Sequence, residues 1–170
     1  MDATAQDAFA EYVTARTPAL LRLGTLLAGS PADGEELVQA ALVRTYRAWP
    51  RVQASDPDRY VRQVMLNLQR NRWTRLLRRE AVTDAPPDAQ VPDGTAAVDT
   101  RAVLWPAVRA LPARQRAVLV LRYYEGLTEA ETAASLDCSV GTVKSQTAKA
   151  LARLRGASGL REAFATEGIG

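Results

Sequence analysis

The chain has 170 residues, 47% of them hydrophobic, and its 22 basic and 19 acidic side chains leave a net charge of only +3. It contains no His and one Cys, Cys138, which excludes His-based catalysis, His metal sites, an internal disulfide and a paired-cysteine zinc site. No apolar run approaches the roughly 18 residues of a membrane span, residues 1–10 carry Asp2 and Asp7 without a base, unlike a secretory signal, and no Walker loop, GxGxxG or HExxH occurs. The lone Cys fits a reducing compartment, so a cytoplasmic, cofactor-free protein that is not itself an enzyme is expected. The basic side chains are 20 Arg and 2 Lys. Arg suits bidentate contacts to phosphates and bases, although a GC-rich genome produces the same bias.

Apolar residues recur at helical spacing from the start. Phe9, Tyr12, Val13, Leu20, Leu23, Leu26 and Leu27 mark a first helix, broken by Gly29, Ser30 and Pro31. A second helix is expected from about Asp33 to Trp49, with Leu37, Val38, Ala41, Leu42 and Tyr46 as its apolar stripe and Pro50 as its stop. Its acidic start (Asp33, Glu35, Glu36) suits the helix dipole, and the same face is a candidate docking surface for a basic partner helix. A loop from Arg51 to Asp56 leads to Pro57 and Asp58, which open a long third helix ending near Glu80. From Glu80 to Asp99 apolar periodicity is lost. This stretch holds three Pro, one Gly, five acids and no base, the composition of a flexible acidic linker.

Helices resume after the linker. Val103, Leu104 and Val108 face one way, Leu111-Pro112 punctuates, and Arg116 to Tyr123 carry the next helix toward Gly126. Thr128 to Glu131 reads as a capping box opening a short helix. Asp137-Cys138-Ser139 forms a tight turn in which Asp tolerates the left-handed conformation, and Ser139 caps a last helix running to about Leu154. The expected fold is all-α: two small helical domains, residues 1–80 and 101–155, joined by the acidic linker 81–100 and followed by a short tail, 156–170.

Two segments carry the chemistry. Residues 60–79 contain Arg62, Arg70, Arg72, Arg75, Arg78 and Arg79 with Asn67, Gln69 and Asn71 between them, the aromatics Tyr60 and Trp73, and no acid. Arg, Asn and Gln read base edges, and aromatics stack on unpaired bases. A basic solvated face over core aromatics gives the same pattern. Residues 128–155 have the helix-turn-helix pattern. Val143 anchors the second helix, leaving Thr142, Lys144, Ser145, Gln146, Lys149 and Arg153 to face outward; the first positions of such a helix enter the major groove, with later bases on phosphates. Two basic readers separated by an acidic spacer suggest two contacts on one duplex. A stand-alone helix-turn-helix regulator, dimeric on a palindrome, and a module inert on DNA that sequesters another factor are the competing classes.

The blocks GEELVQAALVRTYRAW, DRYVRQVMLNLQRNRW, LPARQRAVLVLRYYEGLTEAETAASLDCSVGTVKSQ and AKALARLR, in that order, resemble the bacterial RNA polymerase sigma factors of the extracytoplasmic-function group, most closely their small actinobacterial SigE-like branch. The resemblance implies that the first unit is sigma domain two. Asp33, Glu35, Glu36, Leu37, Gln39 and Leu42 would then dock on the clamp helices of the polymerase β′ subunit. Tyr60, Arg62, Asn67, Arg70, Asn71, Trp73, Arg75 and Arg78 would recognise and open the −10 element, with a flipped base against the loop at Ser55 and Asp56. The second unit would be sigma domain four, associated with the β flap. There Arg114, Ser139, Thr142, Lys144, Ser145, Gln146, Lys149 and Arg153 would read the −35 element. The linker would thread toward the active-site and RNA-exit channel, and an anti-sigma factor is an expected partner, with no membrane association. Ala40 stands where an acid is frequent, Asn71 where Asp is, Gln146 where Arg is, and Asp137 where Gly is.

Overall fold

A computed structural model describes residues 3–80 and 100–157, with side chains for 4–72 and 104–157. Most of the expected linker and nearly all of the expected tail lie outside the described residues, which are helical and include no strand. Contacts divide the chain into two compact units, 1–81 and 82–170.

In the first unit α1 spans Ala3–Ala28, α2 Pro31–Val52 and α3 Pro57–Glu80. Gly29 turns the chain at φ 92°, a left-handed conformation that glycine adopts without penalty. Ser30 caps α2 by accepting from the Asp33 N–H at 3.2 Å, and Pro31 occupies the first turn, where its missing N–H costs nothing. Pro50 does not stop α2, which continues to Val52. Only the last turn lies beyond it, so a single intrahelical bond is forfeited, while Gln53 N–H still reaches Trp49 O at 2.9 Å.

The core joins Leu20, Leu23 and Leu27 of α1 to Leu37, Val38, Ala41, Ala48 and Trp49 of α2 and to Val61, Val64, Met65 and Leu66 of α3. Burying each larger side chain is worth roughly 1.5–3 kcal/mol. Thr45, fully buried, gives its hydroxyl to Ala41 O at 2.8 Å. Toward the other end of α2, Trp49 packs edge-on against Phe9 and tilted against Tyr12, each at 5.1 Å.

Asp58, at the start of α3, accepts from Tyr12 Oη at 3.0 Å and from Arg16 Nε at 2.8 Å, and its second oxygen pairs with Arg16 Nη2. Burial pushes the Tyr12 hydroxyl above its usual pKa, partly opposed by the Arg16 charge.

The second unit comprises α4 Thr100–Ala110, α5 Ala113–Leu119, a π-helical turn Val120–Tyr124, α6 Glu129–Leu136 and α7 Val140–Gly156. Arg116 is buried but reaches back to the end of α4, where its Nη1 donates to Arg109 O at 3.0 Å; a cation there complements the carbonyl end of a helix dipole. The continuous helix expected toward Gly126 instead widens into the π turn. Glu125 N–H bonds to Val120 O at 3.0 Å, Leu127 N–H to Leu121 O at 2.9 Å, and the Arg122 guanidinium holds Leu127 O. Gly126, at φ 69°, then releases the chain.

The capping box is present. Thr128 Oγ1 accepts from Glu131 N–H at 3.2 Å, and Glu131 Oε2 accepts from Thr128 N–H at 2.8 Å. Asp137 adopts φ 54°, ψ 53°. With Cys138 N–H on Ala133 O at 3.0 Å and Asp137 N–H on Ala134 O at 3.4 Å, this is a Schellman closure.

Candidate nucleic-acid interface

On α3 the basic face divides. Asn71 is exposed, while Tyr60, Arg62, Asn67 and Arg70 are half-buried; Asn67 Oδ1 accepts from Gln63 Nε2 at 3.2 Å. Gln69 faces the opposite way, 3% exposed, with its Oε1 unpartnered. It is a core residue rather than a base reader. Arg72 also turns inward, toward α2. Its Nη2 lies 2.6 Å from Asp33 Oδ1 and its Nη1 3.5 Å from Glu36 Oε2. The backbone of α3 carries Trp73, Arg75 and Arg78 onward to Glu80, but their side chains lie outside the described ones.

In the loop before α3, Ser55 and Asp56 are exposed and shape the chain locally. Ser55 Oγ donates to Val52 O at 2.9 Å, and Asp56 Oδ1 caps α3 by accepting from Arg59 N–H at 2.9 Å.

The acidic start of α2 is also mixed. Glu35, Glu36 and Gln39 are exposed, with Gln39 Nε2 donating to Glu35 Oε1 at 3.2 Å. Leu42 is half-buried, and Leu37 is 5% exposed and points into the core, so it does not belong to the exposed face of α2. Asp33 is engaged at both oxygens, Oδ1 by Arg72 and Oδ2 by Ser30 Oγ at 2.6 Å.

Sequence reasoning missed Val43 and Tyr46, which stand 56% and 42% exposed. Glu36, Gln39, Val43 and Tyr46 recur at three- and four-residue steps, the spacing of one helix face. That spacing was the available signal, obscured because Tyr46 also continued the apolar stripe. Its ring is steadied by an edge contact with Phe9 at 5.1 Å.

In the second unit α7 is held by Val143 and Ala150, both fully buried. Opposite them, Lys144, Ser145, Lys149 and Arg153 are exposed and Thr142 and Gln146 half-buried. Ser139 caps the helix, its Oγ accepting from Thr142 N–H at 3.0 Å. Ser145 Oγ returns to Thr142 O at 3.0 Å, leaving the Lys144 ammonium as the projecting group of the first turns. It lies 3.7 Å from Glu129 Oε2, a separation at which an exposed pair is worth little. Arg153 folds back instead, donating from Nη1 to Gln115 Oε1 at 3.0 Å. Arg114 is exposed, and its charge is felt at Cys138, whose thiol is nonetheless pushed up in pKa, chiefly by burial.

Among the described residues no group of three or more His, Cys, Asp or Glu stands ready to hold a metal ion, and no helix is long and apolar enough to cross a membrane. What the arrangement offers is cations and amides on two helices, α3 and α7, each set on a packed helical scaffold.

The family model for sigma-70 region 2 matches residues 12–80, and that for sigma-70 region 4 matches residues 101–154. The chain belongs to the sigma-70 family. This sigma factor is 43% identical over 148 residues to the RNA polymerase sigma-E factor of Streptomyces avermitilis, covering 86% of this chain and 83% of that one. To the sigma-E factor of Streptomyces coelicolor it is 40% identical, covering 86% and 84%. It is 32% identical over 145 residues to the ECF RNA polymerase sigma factor SigL of Mycobacterium tuberculosis, covering 80% of each. These relatives place it among the extracytoplasmic-function sigma factors of transcription initiation. Its fold is like that of the sigma factor RpoE co-crystallised with the anti-sigma factor NepR from Bartonella quintana, with a TM-score of 0.63, 22% identity, and coverage of 87% of this chain and 94% of that one. The region 2 match takes in α2, α3 and most of α1, and the region 4 match takes in α5, α6 and nearly all of α4 and α7.

Proposed function

We propose that this sigma factor binds core RNA polymerase and directs initiation at promoters read through two elements. Residues 1–80 act as domain two, 81–100 as a spacer, 101–155 as domain four and 156–170 as a tail. The exposed face of α2, Glu35, Glu36 and Gln39 with Leu42, Val43 and Tyr46, docks on the β′ clamp helices, and domain four meets the β flap. On α3, Asn67, Arg70, Asn71, Trp73, Arg75 and Arg78 capture the unpaired −10 strand beside Ser55 and Asp56. The outer face of α7, led by Thr142, Lys144 and Gln146 with Lys149 on phosphate, reads the −35 duplex.

The observation that carries this reading is the order of the two matched sigma regions, each bearing a cationic helix set on a packed core. The protein supplies no chemical step of its own: polymerisation belongs to the core enzyme, in the cytoplasm. An anti-sigma factor, the partner found with the structurally similar RpoE, is the expected regulator.

Run-off transcription tests the reading directly. Genomic fragments are transcribed by purified core polymerase with and without this protein. Discrete new transcripts that depend on it are the expected result, and their start sites locate both elements. Absence of transcripts together with failure to bind core would refute the proposal. Footprint protection without core would mark a stand-alone regulator instead.

A further inference from the structure

Arg72 belongs, by its place in the sequence, to the acid-free run that ends α3. The structure gives it a different neighbourhood. Both terminal nitrogens face α2, Nη2 at 2.6 Å from Asp33 Oδ1 and Nη1 at 3.5 Å from Glu36 Oε2. Asp33 is itself fixed, because Ser30 Oγ donates to Oδ2 at 2.6 Å and accepts from the Asp33 N–H. The next residue, Gly34, is buried directly against the α1 backbone at Thr25.

At the opposite end of α3, Asp58 is tied to Tyr12 and Arg16 of α1. The two ties stand 14 residues apart in the helix, about 21 Å at 1.5 Å per residue. Asn67 and Arg70 lie between them. Trp73, Arg75 and Arg78 extend past the second. Core packing holds α3 as far as Gln69; Arg72 adds a tie to α2 one turn nearer the distal part of the helix.

We infer that Arg72 is a positioning residue rather than a DNA contact: its ion pair with Asp33 and Glu36 fixes the direction in which the distal part of α3 meets single-stranded promoter DNA. The inference rests on the proposed −10 role of α3 and goes beyond it by assigning Asp33 to this tie rather than to docking. The guanidinium is directed at the two carboxylates of α2, Asp33 the nearer. Asp33 and Arg72 therefore act as one unit.

The test uses stoichiometric holoenzyme, purified so that differences in docking drop out. The probe is a fluorescein-labelled 12-nucleotide non-template strand copied from the −10 region of a promoter mapped by run-off transcription. Arg72→Gln and Asp33→Asn are each expected to weaken probe binding by about tenfold, and the double variant also by about tenfold rather than a hundredfold, the non-additivity of a coupled pair in contact. Arg72→Lys, which keeps a charge toward Asp33, recovers part of the loss. The salt dependence of binding stays as in the unaltered protein, whereas losing a phosphate contact on a single strand would lower its slope by about 0.7. Thermal melts confirm that each variant is folded at the assay temperature.

If Asp33→Asn leaves binding unchanged or strengthens it, or Arg72→Gln lowers the salt slope, Arg72 is a phosphate contact and the inference is overturned. Additive losses overturn it too. Unaltered holoenzyme that transcribes from the mapped promoter but does not bind the probe overturns the −10 reading itself, and the inference with it.

Discussion

Gly24 and Gly34 lie back to back where α1 packs on α2, so close that a Cβ on Gly34 would stand 2.5 Å from Thr25 N and 2.8 Å from Gly24 C. Both obstacles are backbone, so no rotamer change relieves them. Gly34→Ala is expected to destabilise the first unit by about 1–3 kcal/mol, the cost of an overpacked core. Gly141 offers the contrast. The nearest atom to a Cβ there is Ser139 Oγ at 3.7 Å, and Gly141→Ala in the first turn of α7 is expected to gain about 0.4–1 kcal/mol. Urea unfolding of both variants checks the pair, and equal effects would contradict the close approach of the two helices.

The helix-turn-helix is framed by caps whose removal has a readable size. Thr128→Ala and Ser139→Ala are each expected to cost about 1 kcal/mol, lowering the melting temperature of the second unit by about 4–8 °C. Asp137→Gly moves the other way and gains up to about 1 kcal/mol, because a non-glycine residue held at φ 54° is strained. A melting temperature unmoved by Thr128→Ala would mean that the Glu131 bonds do not hold this helix start.

These caps are what the sequence announced most clearly. The signals at Thr128 and Ser139 are local: side chain and backbone N–H lie three residues apart, and the chemistry of the residue dictates the bond. At Asp137 the signal is the residue's own tolerance of positive φ, whereas at Ser30 the sequence offered only a break, and the cap starts α2 at Pro31 rather than near Asp33. The residues that escaped are those whose direction depends on a second element. Gln69 and Arg72 sit amid readers of nucleic acid in the sequence, yet one is buried in the core and the other is paired with α2. Arg153 continues the basic side of α7 but bonds Gln115, 38 residues away. Leu37, which the resemblance implied at a docking surface, is core, as its place in the apolar stripe of α2 indicated. The π turn at Val120 has no compositional marker, and Pro50 acts as a stop only where several helical turns remain to be disrupted.

Cys138 is expected to be a sluggish thiol. Burial raises its pKa, and the Arg114 charge opposes this only in part. The reactive form is the thiolate, so a raised pKa leaves less of it at any neutral pH. Alkylation by iodoacetamide should run slower than for a free thiol and still be climbing above about pH 8.5, where an ordinary thiol is half ionised. Arg114→Ala removes the opposing charge and slows it further. A rate at neutral pH equal to or above that of free cysteine would contradict this environment.

The proposed −35 contact of Lys144 makes its own prediction. Lys144→Ala in holoenzyme should weaken binding to the −35 duplex and relax its sequence preference, whereas Lys149→Ala should reduce the salt slope by about 0.9 for one lost phosphate neutralisation. Glu129→Gln should leave stability within about 0.5 kcal/mol, as expected for an exposed pair, and should not weaken DNA binding. Unchanged −35 binding and sequence preference in Lys144→Ala would remove this residue from the interface.

The two buried residues of α7 belong to separate clusters, Val143 with Val118 and Ala133, and Ala150 with Leu111 and Leu119. The helix is thus gripped at two points, two turns apart, on one side only. Positions 144, 145, 148, 149 and 152 on its other side are exposed and bear none of the packing. Replacing them changes what the helix presents to solvent without touching what holds it in place. In this unit, recognition and durability fall on opposite faces of a single helix.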